Sequence, residues 1–363
     1  MNKNIHISDI QVRGLIVSTV IGVGILFLPN TLGKISGKDG WIPIILTGLI
    51  LLLFIIMINK IFEINPGKDF FEIGRESMGN IIFTIFLIFL AIHFVISVSF
   101  ITRQLAELVK AFLLPSTPAT VIVAVILLPT IYISLYEIDV IARMSYIIYP
   151  LILVTIILLI ITAIPTADFE NILPQFQSDI SKIPKGMLEA LFSFSGFEIL
   201  LFALPYVKDK KKALKSSLIG IGIITIIYTS LFILTLTQFS INQIRRMNFP
   251  IIMVTKLIDL PGFFIQNLDN IFMSFWIIVA FGTTGPTYYA LGKTVNKIFK
   301  NWRRKYIVVG FGPLVYIISM LPRDILVLYN VMGKILNIST IISIVIIPLI
   351  IFLVVAIKGR VKE

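Results

Sequence analysis

The sequence predicts an all-α integral membrane protein of about ten transmembrane helices, arranged as a 5+5 inverted repeat with broken first and sixth helices. Three observations lead there. The 363 residues are 57% hydrophobic and 14% charged, far more apolar than the roughly 45–50% and 25% of soluble domains. Apolar runs of about twenty residues recur from end to end, each long enough to cross a ~30 Å hydrocarbon core at 1.5 Å per residue. Finally, the first and sixth runs are interrupted by small residues at matching places.

Windows of about nineteen residues place spans at 14–33, 41–62, 81–109, 118–136 and 144–164, and a second set at 186–206, 215–237, 268–292, 306–321 and 336–357. Sorting the 31 Lys and Arg by alternate sides leaves about twice as many on the side that holds both termini, with Arg103 inside the third span. Both termini are therefore expected in the cytoplasm. The net charge of +12 is explained by this topology and by contact with anionic membrane lipid, not by nucleic-acid binding. The connections at 165–185 and 238–267 hold interrupted apolar stretches and are expected to carry short interfacial helices. No segment is long and polar enough for a soluble domain, so residues 1–363 read as a single bundle with repeats at roughly 10–164 and 183–357.

Several function classes drop out. The chain has no cysteine and two histidines, His6 and His93, so thiolate sites and multi-histidine metal centres are not expected. No Gly-x-Ser-x-Gly elbow, phosphate-binding Gly-Lys loop or paired-histidine motif occurs. The chain reads as a non-enzyme without a cofactor. No small-residue cleavage site follows the first apolar run, so a removable signal peptide is not expected either.

The two interruptions carry most of the functional information. In the first span Thr19-Val-Ile-Gly22-Val-Gly24 leads into Ile-Leu-Phe-Leu-Pro29. In the sixth, Ser193-Phe-Ser195-Gly196 leads into Phe-Glu-Ile-Leu-Leu-Phe-Ala-Leu-Pro205. Unwound backbone at membrane depth is tolerated only where it lines an enclosed cavity. Broken helices expose free N–H groups at one half-helix end and free carbonyls at the other, which suits a carboxylate and a cation or ammonium. Small-residue pairs also serve close helix packing, but their recurrence at the corresponding place in each half points to a midplane binding site.

These residues resemble the amino acid, polyamine and organocation transporter superfamily, and more narrowly the B subunit of bacterial spore germinant receptors. Ile7-Ser-Asp-Ile-Gln11, Gly22-Val-Gly-Ile-Leu-Phe-Leu-Pro29, Asp39-Gly-Trp41, and Leu268-Asp269 with Trp276 carry the narrower resemblance. Gln266-Asn267 departs from it where a charged residue is expected. The resemblance implies a LeuT-like transporter fold and a small-molecule germinant, commonly an amino acid, bound within the spore inner membrane. It also implies membrane-embedded A and lipoprotein C partner subunits. A free-standing amino-acid permease remains the alternative.

The candidate substrate-binding residues are Gly22, Val23 and Gly24, as backbone ligands of a carboxylate, and Ser193, Phe194, Ser195 and Gly196 on the opposite wall. Phe194 is a lid or a packing residue. Val98 is a candidate apolar contact. Thr284 and Tyr288, at i and i+4 in the polar run from Phe281 to Tyr289, share a face expected to line the pocket. Thr283 or Thr284 hydroxyls are candidates to join first-span carbonyls around Na⁺. Ionisable residues at membrane depth tend to face cavities. Glu198 can stabilise an amino group, carry a coupling proton or pair within the bundle. His93 is a bonded structural histidine or a proton relay. Arg103 is expected to snorkel and to pair with Glu107 one turn later. Residues 144–164 contain no Lys, so proton coupling through a fifth-span lysine is not expected, and Na⁺ or H⁺ coupling stays open.

Overall fold

Hydropathy governs the architecture. In the computed structural model, which describes residues 5–257 and 268–360, six helices are long and apolar enough to cross a membrane, and one further pair is bent by 54° at a short break. In chain order the helices are α1 (Asp9–Val20), α2 (Leu28–Ser36), α3 (Trp41–Ile64), α4 (Phe70–Met78), α5 (Asn80–Phe112), α6 (Ala119–Ser134) and α7 (Ile138–Ala163). There follow α8 (Ile183–Ser193), α9 (Leu200–Ala203), α10 (Lys210–Gln238), α11 (Ile241–Ile244), α12 (Pro250–Leu257), α13 (Leu268–Ile298), α14 (Arg304–Met320) and α15 (Ile325–Ile357). Long apolar side chains such as Leu53, Ile81, Leu128 and Ile147 are more than half exposed on the outer faces. In water that would be unsustainable, whereas in lipid it costs nothing.

Helices α5 and α13 pack along each other at the centre, and α1 sits among α7, α10 and α13. One contiguous hydrophobic core runs through all of these. Most spans fall where hydropathy puts them. The last differs: the helix begins at Ile325, some eleven residues before 336, and includes two π-type turns at Leu328–Gly333 and Ile341–Ile346. Its first turns are hidden from a hydropathy scan by Asn330 and Lys334, which line a cavity. The connection at 165–185 forms short 3₁₀ turns, and that after residue 238 forms α11 and α12. Gln266-Asn267 lies outside the described residues. The short helix α4 was not foreseen; its Asp69 and Glu72 form a capping box.

Two of the sequence motifs turn out to be local folding devices. In Ile7-Ser-Asp-Ile-Gln11, Ser8 accepts a hydrogen bond from the Gln11 N–H at 3.3 Å, and the Gln11 side chain accepts one from the Ser8 N–H at 2.9 Å. This capping box fixes where α1 starts. In Asp39-Gly-Trp41, the buried Asp39 carboxylate accepts the N–H groups of Phe176 at 2.7 Å and Ser178 at 2.8 Å. It clamps the 165–185 connection onto the bundle and holds Phe176 at a positive φ of 60°. Gly40 is required because a Cβ there would stand 2.4 Å from the Phe232 ring.

Burial opposes ionisation of Asp39, but the amide donors of Phe176 and Ser178 outweigh it and hold the carboxyl below its usual range. Because the folded-state value is depressed, the clamp's contribution is present above the unfolded value of ~3.9 and is lost as pH falls through the folded value. Replacing Asp39→Ala is expected to lower stability at neutral pH by about 1–3 kcal/mol, the penalty of stranding buried donors. Thermal unfolding in detergent as a function of pH checks this: the gap between wild type and variant should narrow only in strong acid.

Candidate functional site

The site is built around the ends of two interrupted helices. Helix α1 stops at Val20, and helical geometry resumes in a 3₁₀ turn at Gly24–Leu26 before α2, where Pro29 fits the first turn. Helix α8 stops at Ser193, turns through Gly196 with φ 120°, and continues as Phe197–Ile199, α9 and Leu204–Tyr206. The two breaks touch. A Cβ on Gly196 would lie 2.7 Å from the Thr19 carbonyl oxygen, and one on Gly22 only 2.4 Å from the Thr283 hydroxyl. Glycine is obligatory at both, for conformation and space at Gly196 and for space at Gly22.

Ending α1 in the protein interior leaves its last carbonyls without intrahelical partners. Side chains from neighbouring helices serve them. The Thr283 hydroxyl of α13 donates to the Ser18 carbonyl at 3.2 Å and lies 3.5 Å from that of Ile21. The Tyr228 hydroxyl of α10 donates to the Ser193 carbonyl at 2.8 Å and lies 3.1 Å from that of Val20, so one phenol holds both breaks together. Gln104 of α5 donates to the Val23 carbonyl at 3.3 Å and also hydrogen-bonds Tyr329.

Between these groups lies a cavity of about 50 Å³. Of the sequence-predicted residues, Gly22, Val23, Gly24, Ser193, Ser195, Gly196, Glu198 and Thr283 line it. An adjoining cavity of about 210 Å³ shares Gly24, Gln104, Phe192 and Ser193 with it and extends past Glu189, Lys334 and Asn337, on the side of the bundle away from the N-terminus. On the N-terminal side an ion-pair lattice closes the bundle: Glu137 meets Lys293 and Arg304, each at 3.0 Å, and Asp69 meets Lys297 at 3.0 Å. Burial opposes the charge on Glu137, yet Arg304 and Lys293 hold its carboxyl below the usual range.

Four expected residues fall elsewhere. Thr284 and Tyr288 do share a face, but it is turned toward α6 and α14. The Thr284 hydroxyl is 3.2 Å from that of Thr130, and the Tyr288 hydroxyl donates to the Val308 carbonyl at 2.8 Å. The offset pair Thr283 and Thr287 faces the cavity instead. Phe194 is fully buried against the Tyr228 ring at 4.9 Å, behind the break, and Val98 is buried in the core. Phe192, Phe100, Ile101 and Leu336 supply the apolar wall. Gln104 and Ser97 were also missed. The signal for them was present, since His93, Ser97 and Gln104 follow one helical face of an otherwise apolar span.

Glu198 is 4% exposed and accepts the Gly196 N–H at 2.7 Å. Its other oxygen lies 3.9 Å from His93 Nε2. His93 is fully buried, with Nδ1 2.9 Å from the Ser339 hydroxyl and Nε2 3.5 Å from that of Ser97. It is thus bonded within the bundle and also stands beside the cavity's carboxylate. Arg103 pairs with Glu107 at 2.8 Å, as expected from their spacing. It does not snorkel: α5 runs on to Phe112, and Arg103 is 6% exposed against the Ser319 carbonyl of α14. Among the described residues no cluster of metal-binding side chains occurs.

An all-helical bundle with two touching helix breaks around a central cavity defines the class of a transporter-like membrane protein. The backbone superposes on Mhp1, a nucleobase-cation-symport-1 family transporter in a closed conformation, with TM-score 0.68 and 12% identity, covering 94% of this chain and 78% of that one. It also superposes on a Na⁺-coupled sialic acid symporter in a substrate-bound outward-open state, with TM-score 0.64 and 13% identity over 98% and 89% of the two chains. Residues 6–326 match the family described as Spore germination protein, and the chain belongs to that family. Spore germination protein A2 of Bacillus subtilis (strain 168) is 28% identical over 98% of this chain and 97% of its own length. Spore germination protein B2 of the same organism is 26% identical over 90% and 89%.

The contacts at the breaks order three substitutions. Gly196→Ala and Gly22→Ala are expected to destabilise by about 1–3 kcal/mol or more, whereas Gly24→Ala is tolerated because a Cβ there meets only Ser193 atoms at 3.7 Å and beyond. Tyr228→Phe should cost about 1–3 kcal/mol by stranding the buried Ser193 and Val20 carbonyls. Unfolding temperatures of the purified variants check both; equal behaviour of all three glycines would contradict the packing described.

Proposed function

We propose that this chain is the ligand-sensing membrane subunit of a spore germination receptor, binding a small amino-acid-type germinant between the broken helices. One observation carries the reading: the two breaks converge on one buried cavity that presents helix-start amides, a carboxylate and an apolar wall. Helical geometry restarts at Gly24, so N–H groups there lack intrahelical partners and suit a ligand carboxylate. Glu198 suits its ammonium, and Phe100, Phe192 and Leu336 suit an apolar side chain. The broken α1–α2 and α8–α9 segments, with the shorter α6 and α14 and the six long helices, make ten crossings in two antiparallel halves of five. Both termini then lie in the cytoplasm, in the spore inner membrane, beside the A and C subunits that the family resemblance implies. Thr283, already on the Ser18 carbonyl and 3.5 Å from that of Ile21, is the residue to complete a Na⁺ site if one is used. Ligand occupancy shifts the bundle between two states that those partners read.

A free-standing permease working by alternating access is the second reading. It is favoured by the fold likeness to two symporters and by the asymmetry of the site, closed by ion pairs toward the N-terminal side and continued by a second cavity on the other.

A thermal-shift screen of the purified chain against amino acids, nucleosides and sugars, with and without Na⁺, tests the pocket. A compound bound at a hundredfold its Kd should stabilise by about 2.7 kcal/mol. Glu198→Gln and Ser193→Phe should abolish the shift while leaving the folded state intact. A shift unchanged in both variants would sink the pocket assignment. Uptake of labelled amino acid into liposomes holding this chain alone would decide for the permease.

A further inference from the structure

The first turns of α10 carry a lysine stripe that neither the fold nor the ligand site uses. Lys208, Lys211, Lys212 and Lys215 are all exposed. Within α10, Lys211, Lys212 and Lys215 crowd one side of the helix, Lys208 lies in the segment just before it, and Ala213 and Ser216 are buried. Lys210, between them, is turned inward onto the Leu204 carbonyl. The helix spans 29 residues, about 43 Å, against a hydrocarbon core of ~30 Å. Its polar opening, Lys210-Lys-Lys-Ala-Leu-Lys-Ser-Ser217, therefore stands at headgroup depth. Beside the stripe lies a surface groove of about 380 Å³, lined among others by His6, Ser8, Gln11, Lys208 and Lys212. Its floor is fixed by the Ile7 N–H donating to the Tyr206 carbonyl at 3.2 Å. Two acids border it. Asp209 is engaged by the Lys211 and Lys212 amides at 3.0 Å and lies 3.9 Å from the Lys212 ammonium. Asp9 is the other. Within the groove two lysines stand against two acids, and Lys211 and Lys215 along the helix add the excess positive charge.

We infer that this stripe and groove form a binding site for anionic lipid headgroups, which hold the segment joining the broken α8–α9 to α10 against the membrane. Charge sign, depth and alignment beside an apolar span favour a lipid over an acidic protein segment. The inference is independent of the ligand reading.

Native mass spectrometry of the full chain, released from micelles with equal phosphatidylcholine and phosphatidylglycerol, tests it. The wild type should retain phosphatidylglycerol at least about fivefold over phosphatidylcholine, and less as salt rises. Combined Lys208→Gln, Lys211→Gln, Lys212→Gln and Lys215→Gln should abolish the preference, and the four Lys→Arg replacements should restore it. If the quadruple variant does not fold, Lys211→Gln with Lys212→Gln should give a partial loss. Equal retention in wild type and the Gln variants overturns the site. Displacement of the lipid by an oligo-glutamate peptide overturns the lipid assignment in favour of an acidic protein partner, and retention of glycerol phosphate without any preference for phosphatidylglycerol overturns it in favour of a soluble phosphate ester.

Discussion

The structure depends on how the orphaned backbone at two helix breaks is satisfied inside a membrane. A carbonyl stranded in hydrocarbon costs several kcal/mol, so α1 and α8 can stop at mid-bundle only because other helices reach them. Thr283, Tyr228 and Gln104 come from three different helices, and each serves a carbonyl at a break. This explains why α5, α10 and α13 each carry a polar side chain at the depth of the breaks. The arrangement also ties the cavity walls to the scaffold. Any occupant that competes for those amides or carbonyls changes the balance of contacts among α1, α5, α10 and α13.

The same constraint explains the ionisable pair. A lone buried carboxylate is expensive, and Glu198 is compensated by the Gly196 amide on one oxygen and approached by His93 on the other. Gly196 therefore serves twice, since its positive φ turns the chain and its N–H answers the carboxylate it positions. His93 in turn reaches Ser339 on α15, between the two π turns. A path of polar contacts thus runs from the break in α8, through α5, to the last helix. Two-state behaviour of such a path would couple the cavity to the last helix.

Much of the fold was legible because hydropathy in a membrane is a severe filter: a helix that crosses must be apolar, and charged loops must stay outside. The broken helices were legible too, since glycine and serine pairs at mid-span stand out in apolar runs, and Arg103 with Glu107 followed from helical spacing. The start of the last helix was not legible, because Asn330 and Lys334 face a cavity and a linear scan treats them as loop. The side of α13 that meets the site was only partly legible: Thr283 was expected at the first-span carbonyls, but Thr287 was missed and Thr284 and Tyr288 were expected in its place. Thr283, Thr284 and Thr287 are chemically alike, and only the rotation of α13 about its axis decides which face α1 and which face α6.

By itself, then, the sequence determined the membrane-embedded class, the approximate spans and the breaks, because each depends on local composition and spacing. The tertiary structure alone decided which side chains close around the breaks, that Gln104 and Phe192 rather than Phe194 and Tyr288 face the cavity, and that Asp39 clamps a distant connection. Those outcomes depend on helix rotation and on contacts between residues far apart in the chain, which periodicity constrains to a face but cannot assign to a partner.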